Sequence, residues 1–144
     1  MIKKSANVHW EGKGKKGQGQ ISTETGSLKE YPYGFGSRFE DDRTGTNPEE
    51  IIGAAHAACF TMAFSFAMAD AGFETKSADT KAVVHLDKEG DGFAIKQIDL
   101  HLEASIDDID EAKFQEIAKG AKEGCPVSKA LAGVPTITLD AKLV

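Results

Sequence analysis

Two cysteines carry the strongest chemistry in this chain, and they sit in environments that ask for opposite kinds of thiol. Cys59 lies within residues 51–69, a run without a permanently charged side chain, whereas Cys125 stands in Gly124-Cys125-Pro126. Proline is favoured at the first position of a helix, so the Cys125 sulfur is expected at or near an N-cap, where free N–H groups and the helix dipole favour an anion. An accessible thiolate is the expectation there. Burial among apolar groups instead raises a thiol pKa, so a reactive Cys59 needs a cation or hydrogen-bond donors nearby. His56 is one candidate, a turn before Cys59 at the i, i+3 spacing where helix side chains meet; its plainer reading is a core histidine. Arg38 is the other, set between Phe35 and Phe39, and its plainer reading is a surface ion pair. A buried thiol and a helix-start thiol make a redox couple.

The elements that would position these groups are read from pattern. Residues 5–12 and 18–25 alternate polar and apolar on either side of the Gly/Lys-rich 12–17, as in a hairpin, and a third short strand is expected around Ser37-Arg38-Phe39-Glu40. Asn47, Pro48 and Glu50 supply an N-cap, a first-turn proline and a capping-box acid. The helix they start runs through 51–69 to a stop at Asp70-Ala71-Gly72. Its length approaches a membrane span, but Gly53, His56, Thr61 and Ser65 interrupt it and its flanks are acidic. A core helix enclosed by protein is therefore expected. One small sheet could hardly enclose it, which points to a dimer.

Residues 78–88 and 93–106 read as a second hairpin turning through 88–92. Asp110 caps a helix to about Lys122, with Phe114, Ile117, Ala118 and Ala121 on one face. A short helix follows Cys125 and ends by Gly133, and residues 136–143 alternate as a last strand. The order is that of one α+β domain over 1–144, with antiparallel sheets around a long buried central helix.

A chain of 144 residues, 40% of them hydrophobic, is long enough to build a core. Its net charge of -6 argues against duplex nucleic acid or an anionic membrane surface as partners, since clustered Lys and Arg hold both. The Lys13-Gly14-Lys15-Lys16 cluster reads as a solvated turn. The first residues reach no apolar segment before polar ones resume, so no secretory signal and a cytoplasmic location are expected. In that compartment a stable structural disulfide is disfavoured, and paired thiols are catalytic, metal-binding or simply buried. No CxxC or HxxxH pair pre-organises a metal site from Cys59, Cys125, His56, His9 and His85, so neither metal nor cofactor is called for.

The run Asn47-Pro48-Glu49-Glu50-Ile51-Ile52-Gly53-Ala54-Ala55-His56-Ala57-Ala58-Cys59-Phe60, with Gly124-Cys125-Pro126-Val127-Ser128 and Pro32-Tyr33-Gly34-Phe35, strongly resembles the osmotically inducible OsmC proteins. These belong with the Ohr organic hydroperoxide resistance proteins. The resemblance extends over essentially the whole chain. It implies an intertwined homodimer and a thiol peroxidase that reduces organic hydroperoxides in defence against oxidative stress. In this reading Cys59 is the peroxidatic cysteine, Cys125 the resolving one, and Glu49 and Arg38 the charged pair that serves Cys59. It also implies a dithiol reductant, such as a lipoylated protein, rather than glutathione. His56 fits the OsmC branch, whereas the Ohr branch does not place histidine there.

The chemistry supports that reading independently of the name. Attack on an O–O bond needs a thiolate and stabilisation of the leaving alkoxide, and a guanidinium serves both because it stays charged and carries a fork of donors. The sulfenic acid so formed on Cys59 can condense with Cys125, and a small dithiol restores both thiols by exchange. Glu49 and Cys59 are ten positions apart, roughly 15 Å along a straight helix, so if Glu49 serves Cys59 either the helix bends sharply or Glu49 comes from the partner subunit, and the second is the expectation. Phe35, Phe39, His56 and Phe60 are the expected substrate contacts, with Met62, Phe64, Phe66 and Met68 mostly core; bulky alkyl or aryl hydroperoxides should then be preferred over hydrogen peroxide. The rival from another class is a non-catalytic small-molecule binding or stress protein with two inert buried cysteines. A disulfide oxidoreductase acting on proteins would require an exposed first cysteine.

Overall fold

Alternation on either side of a tight turn makes the first sheet. Strand β1 (Ala6–Glu11) pairs antiparallel with β2 (Gln18–Thr23), and β2 pairs antiparallel with β3 (Tyr31–Tyr33). Gly17 and Gly19 leave room on β2 and its approach for the rings of Trp10 and Tyr33, into which any Cβ would collide. In the computed structural model, which describes Met1–Val144, the backbone gathers into two compact units, Met1–Ile51 and Ile52–Val144.

The first unit corrects one sequence expectation. The stretch expected as a strand at Ser37-Arg38-Phe39-Glu40 is mostly a short helix, α1 (Phe35–Phe39), and the third strand lies upstream at β3. Ser37 closes the turn: its hydroxyl accepts the Gly34 N–H at 3.0 Å and lies 2.7 Å from the Thr46 carbonyl oxygen, to which it donates. Local side-chain to backbone bonding of this kind competes with a sheet ladder. Helix α2 (Pro48–Asp70) begins where its capping residues place it, with the Asn47 side chain accepting the Glu50 N–H at 2.8 Å.

In the second unit, β4 (Thr75–Glu89) and β5 (Gly92–Ile106) form a long hairpin, with Gly90 at its turn taking φ +60°. Helices α3 (Glu111–Gly124) and α4 (Pro126–Ala130) follow, then β6 (Thr136–Leu143). The sheet is ordered β4-β5-β6, and β5 runs antiparallel to β4 but parallel to β6. The expectation of purely antiparallel sheets is thereby modified. A strand reached through a helical crossover returns in the same direction, and α3 with α4 is that crossover.

Strand alternation sends Ile98, Leu100, Leu102 and Ala104 of β5 into the core. Asp110 caps α3 by accepting the Lys113 N–H at 2.8 Å, and Phe114, Ile117, Ala118 and Ala121 form its buried face. From α2 come Phe60, Phe64 and Met68 at four-residue spacing, and Phe64 meets Phe114 edge-on at 5.8 Å between ring centres. The helix is long and apolar enough to cross a membrane, yet this stripe is part of the core. Its far side is not covered: Met62 is 61% and Phe66 65% exposed. Enclosure all round is therefore not provided by the chain alone.

Candidate active site

Within the second unit, α2 and the α3–α4 corner bring Cys59 and Cys125 close enough that each sulfur alters the other's affinity for protons. Both are free thiols. Cys125 caps α4 in the manner of an N-cap serine, its Sγ accepting the Ser128 N–H at 3.2 Å. The Ser128 hydroxyl lies 3.2 Å from the same sulfur and 2.7 Å from Nε2 of His56 on α2. Three buried side chains from two helices thus form one polar chain, His56–Ser128–Cys125.

The two thiols titrate in opposite directions. Burial opposes ionisation of Cys125, but hydrogen bonds from the Ser128 hydroxyl and N–H, from Cys59 and from the Val127 N–H hold its pKa below the ordinary thiol value. Burial pushes the Cys59 thiol up; the Val127 N–H pulls the other way, and Cys125, as hydrogen-bond partner and neighbouring charge, adds to the rise. The resting anion therefore favours Cys125, and no cation appears among the influences on Cys59.

Accessibility is also the reverse of the sequence expectation. Cys125 is 1% exposed, while Cys59 is only half-buried. The capping sulfur belongs to the core cluster with α3, whereas Cys59 lies on a helix covered along one side.

The first unit holds the charged pair. Arg38 on α1 grips Glu49, in the first turn of α2, with two prongs: Nη2 reaches Oε1 at 2.7 Å and Nε lies 3.2 Å from both oxygens. Fork-on-carboxylate bonding of this kind fixes the guanidinium plane as well as its position. The Glu49 side chain is 10% exposed and that of Arg38 37%, so the cation retains an open side. Its guanidinium sits 5.1 Å from the Phe39 ring centre, and the rings of Phe35 and Phe39 are 5.1 Å apart. A fixed donor fork beside apolar rings suits a molecule with one oxygen-rich end and one greasy end.

Of the other residues expected at the substrate, Phe60 is fully enclosed beside Phe64 and is core, and His56 is fully buried with its Nε2 on Ser128. Neither offers a surface to a ligand. Ser128 was missed as a functional residue, although its place three positions after a capping residue, in Cys125-Pro126-Val127-Ser128, is where a capping-box partner stands. No group of three or more His, Cys, Asp or Glu side chains is arranged to hold a metal ion.

The model of a family described as OsmC-like protein matches residues 40–140. Peroxiredoxin OsmC of Escherichia coli is 52% identical over 142 residues, covering 99% of this chain and 97% of that protein. The chain belongs to the OsmC-like family. Organic hydroperoxide resistance protein OhrB of Bacillus subtilis is 32% identical over 124 residues, 86% of this chain and 89% of its own. The OhrB crystal structure superposes with a TM-score of 0.68 at 30% identity, covering 97% of this chain and 98% of OhrB. An OsmC-like protein from Mycoplasma pneumoniae reaches a TM-score of 0.77 at 16% identity, covering 99% and 98%, a likeness of fold. Family membership and the OsmC α+β fold, both expected from the cysteine motifs, are borne out.

Proposed function

We propose that this OsmC-like chain is a two-cysteine thiol peroxidase that reduces organic hydroperoxides to alcohols. The observation that carries the reading is that the Cys59 and Cys125 thiols lie near enough to influence each other's ionisation, a proximity that would let a sulfenic acid on one be captured by the other. In the first step the Cys59 thiolate attacks the terminal oxygen of the hydroperoxide. An S–O bond forms, the O–O bond breaks, and the alkoxide leaves and is protonated to the alcohol. Cys125 then displaces hydroxide from the Cys59 sulfenic acid to give a disulfide, and a dithiol, such as that of a lipoylated protein, restores both thiols by exchange.

Cys59 has its pKa raised and no cation among its influences, so its ionisation calls for one from outside the second unit. We assign that cation to the Arg38 guanidinium, oriented by Glu49, and the exposed Met62 and Phe66 to the surface that a second copy of the chain covers in a homodimer. Ten positions separate Glu49 from Cys59, about 15 Å of helical rise, which favours the Arg38–Glu49 pair of one subunit serving Cys59 of the other. Phe35 and Phe39 beside that guanidinium give the apolar part of a bulky hydroperoxide its contact. The reducing cytoplasm is where such a cycle returns to its dithiol state.

The test is hydroperoxide consumption driven by a small dithiol. Wild-type protein should turn over cumene hydroperoxide with a higher kcat/KM than hydrogen peroxide, and Cys59→Ser should consume neither above background. Comparable kcat/KM for the two peroxides would remove the substrate assignment. Wild-type turnover by Cys59→Ser would remove the mechanism.

A further inference from the structure

His56 has no part in the cycle as written, yet it is fully buried on α2 and spends its one hydrogen bond on the serine that also touches the Cys125 sulfur. Its other ring nitrogen, Nδ1, is buried with no partner. Orphaned N–H groups are rarer in protein interiors than orphaned acceptors, so the ring proton belongs on Nε2 and the bare lone pair on Nδ1. That tautomer leaves the Ser128 hydroxyl proton free for the sulfur. As a thiol, Cys125 donates to Ser128 Oγ; once the sulfur is ionised it has no proton to give, and the same 3.2 Å contact reverses, so that His56 Nε2–H donates to Ser128 Oγ, the Ser128 hydroxyl donates to Cys125 Sγ, and the Ser128 N–H supplies a second donor to the same sulfur. A sulfur receiving two donors is held as an acceptor, which is what a thiolate is.

We propose that His56 is a positioning residue for the resolving step: through Ser128 it holds the Cys125 sulfur as a hydrogen-bond acceptor, aimed and ionised for attack on oxidised Cys59. The role in catalysis rests on the peroxidase reading given above. In the step itself a Cys125 sulfur lone pair forms the S–S bond and the S–O bond of the Cys59 sulfenic acid breaks. Hydroxide departs and takes a solvent proton to leave as water. The Cys125 sulfur is oxidised and the Cys59 sulfur reduced in equal measure, the oxidising equivalents having come from the hydroperoxide. His56 neither gains nor loses a proton. It fixes the direction of the Ser128 hydroxyl, and its burial, which lowers its pKa, keeps it neutral for that purpose. The groups acting on Cys125 are Ser128, Cys59 and the Val127 N–H, and no charged side chain is among them.

The test needs no peroxide. In a Cys59→Ser background Cys125 is the single thiol, and its thiolate is followed by ultraviolet absorbance as pH is raised. Hydrogen bonds to a charged group are worth about 1.5–3 kcal/mol, and His56 acts on one such bond at second hand, so His56→Leu should lower the thiolate fraction at fixed pH by roughly three- to ten-fold. His56→Gln, whose side-chain amide offers an N–H near the place of Nε2–H, should restore most of it. Ser128→Ala should lower it at least as far as His56→Leu and reads the same link if the leucine variant does not fold. With Cys59 present, His56→Leu treated with one equivalent of cumene hydroperoxide should leave more Cys59 sulfenic acid for dimedone to trap than the wild type does. An unchanged thiolate midpoint in folded His56→Leu, or in Ser128→Ala, would overturn the proposal. A shifted midpoint together with thiols that ignore hydroperoxide would instead overturn the peroxidase reading and leave the His56–Ser128–Cys125 coupling standing.

Discussion

The second unit contains two acceptors whose proton affinity is depressed by hydrogen bonds, and they sit in opposite surroundings. Cys125 is enclosed at the α3–α4 corner, where Ser128 works against the cost of burial. Asp99 lies on the outer face of the β4-β5-β6 sheet, where Thr138, Gln97 and His85 all donate to its carboxylate and hold its pKa down to about 2, with burial opposing only weakly. Burial makes the difference between them. On the sheet surface, satisfied hydrogen bonds yield a carboxylate that is simply always ionised. In the core, a similar set of donors holds a buried sulfur below the ordinary thiol pKa beside a second sulfur, and one member of the network, His56, is left with an unpartnered nitrogen. Partly satisfied networks in the interior carry high stakes, which is why chemistry collects there.

The largest effects are expected at the thiols. Cys125→Ser should still undergo one oxidation by organic hydroperoxide and then stall, leaving a Cys59 sulfenic acid that dimedone labels and mass spectrometry detects. If that first oxidation is lost as well, the roles of the two cysteines are exchanged. Next in size is the enclosure itself. Phe64 joins Phe60 to Phe114, so Phe64→Ala should cost about 3–5 kcal/mol in denaturant unfolding, because the cavity lies beneath the helix that carries Cys59. A change below about 1 kcal/mol would mean that this stripe does not hold α2 in place.

The surface network responds to acid instead. The folded-state pKa of Asp99 lies below its ordinary value of 3.8, so its contribution to stability is complete above that pH and is lost as pH falls toward about 2. Asp99→Asn should therefore be less stable than the wild type at neutral pH, with the difference shrinking on acidification toward pH 2. A difference that stays constant with pH would show that the Asp99 bonds stabilise by geometry and not by charge. The smallest effect is expected at a site remote in character from both networks: Asp110→Ala removes the α3 cap and should cost about 1 kcal/mol without altering the thiol titration.

Much of this was legible where local chemistry decides structure. Asn47-Pro48-Glu49-Glu50 specifies a helix start because cap, proline and acid each satisfy the same first turn, and Asp110 does the same for α3. The pairing of Arg38 with Glu49 follows from no local rule, and here the family resemblance supplied what periodicity could not. Four features depended on tertiary context. Ser37 turned an expected strand into α1 by reaching the distant Thr46 carbonyl. The direction of β6 was set by the crossover through α3 and α4 rather than by its own alternation. The exposure of the two cysteines was inverted because an N-cap position says where a sulfur lies along a helix and nothing about which side of that helix is covered. The bond between His56 and Ser128 spans 72 positions, and no spacing rule reaches that far.

The central claim is that Cys59 and Cys125 act as one redox pair, and intact-mass spectrometry with a free-thiol count before and after one equivalent of an organic hydroperoxide tests it most directly. Both free thiols of each chain should disappear, the mass should fall by two hydrogens, and a small dithiol should reverse the change. Thiol content and mass that stay unchanged, or an added oxygen that persists on one cysteine while the other remains free, would contradict it.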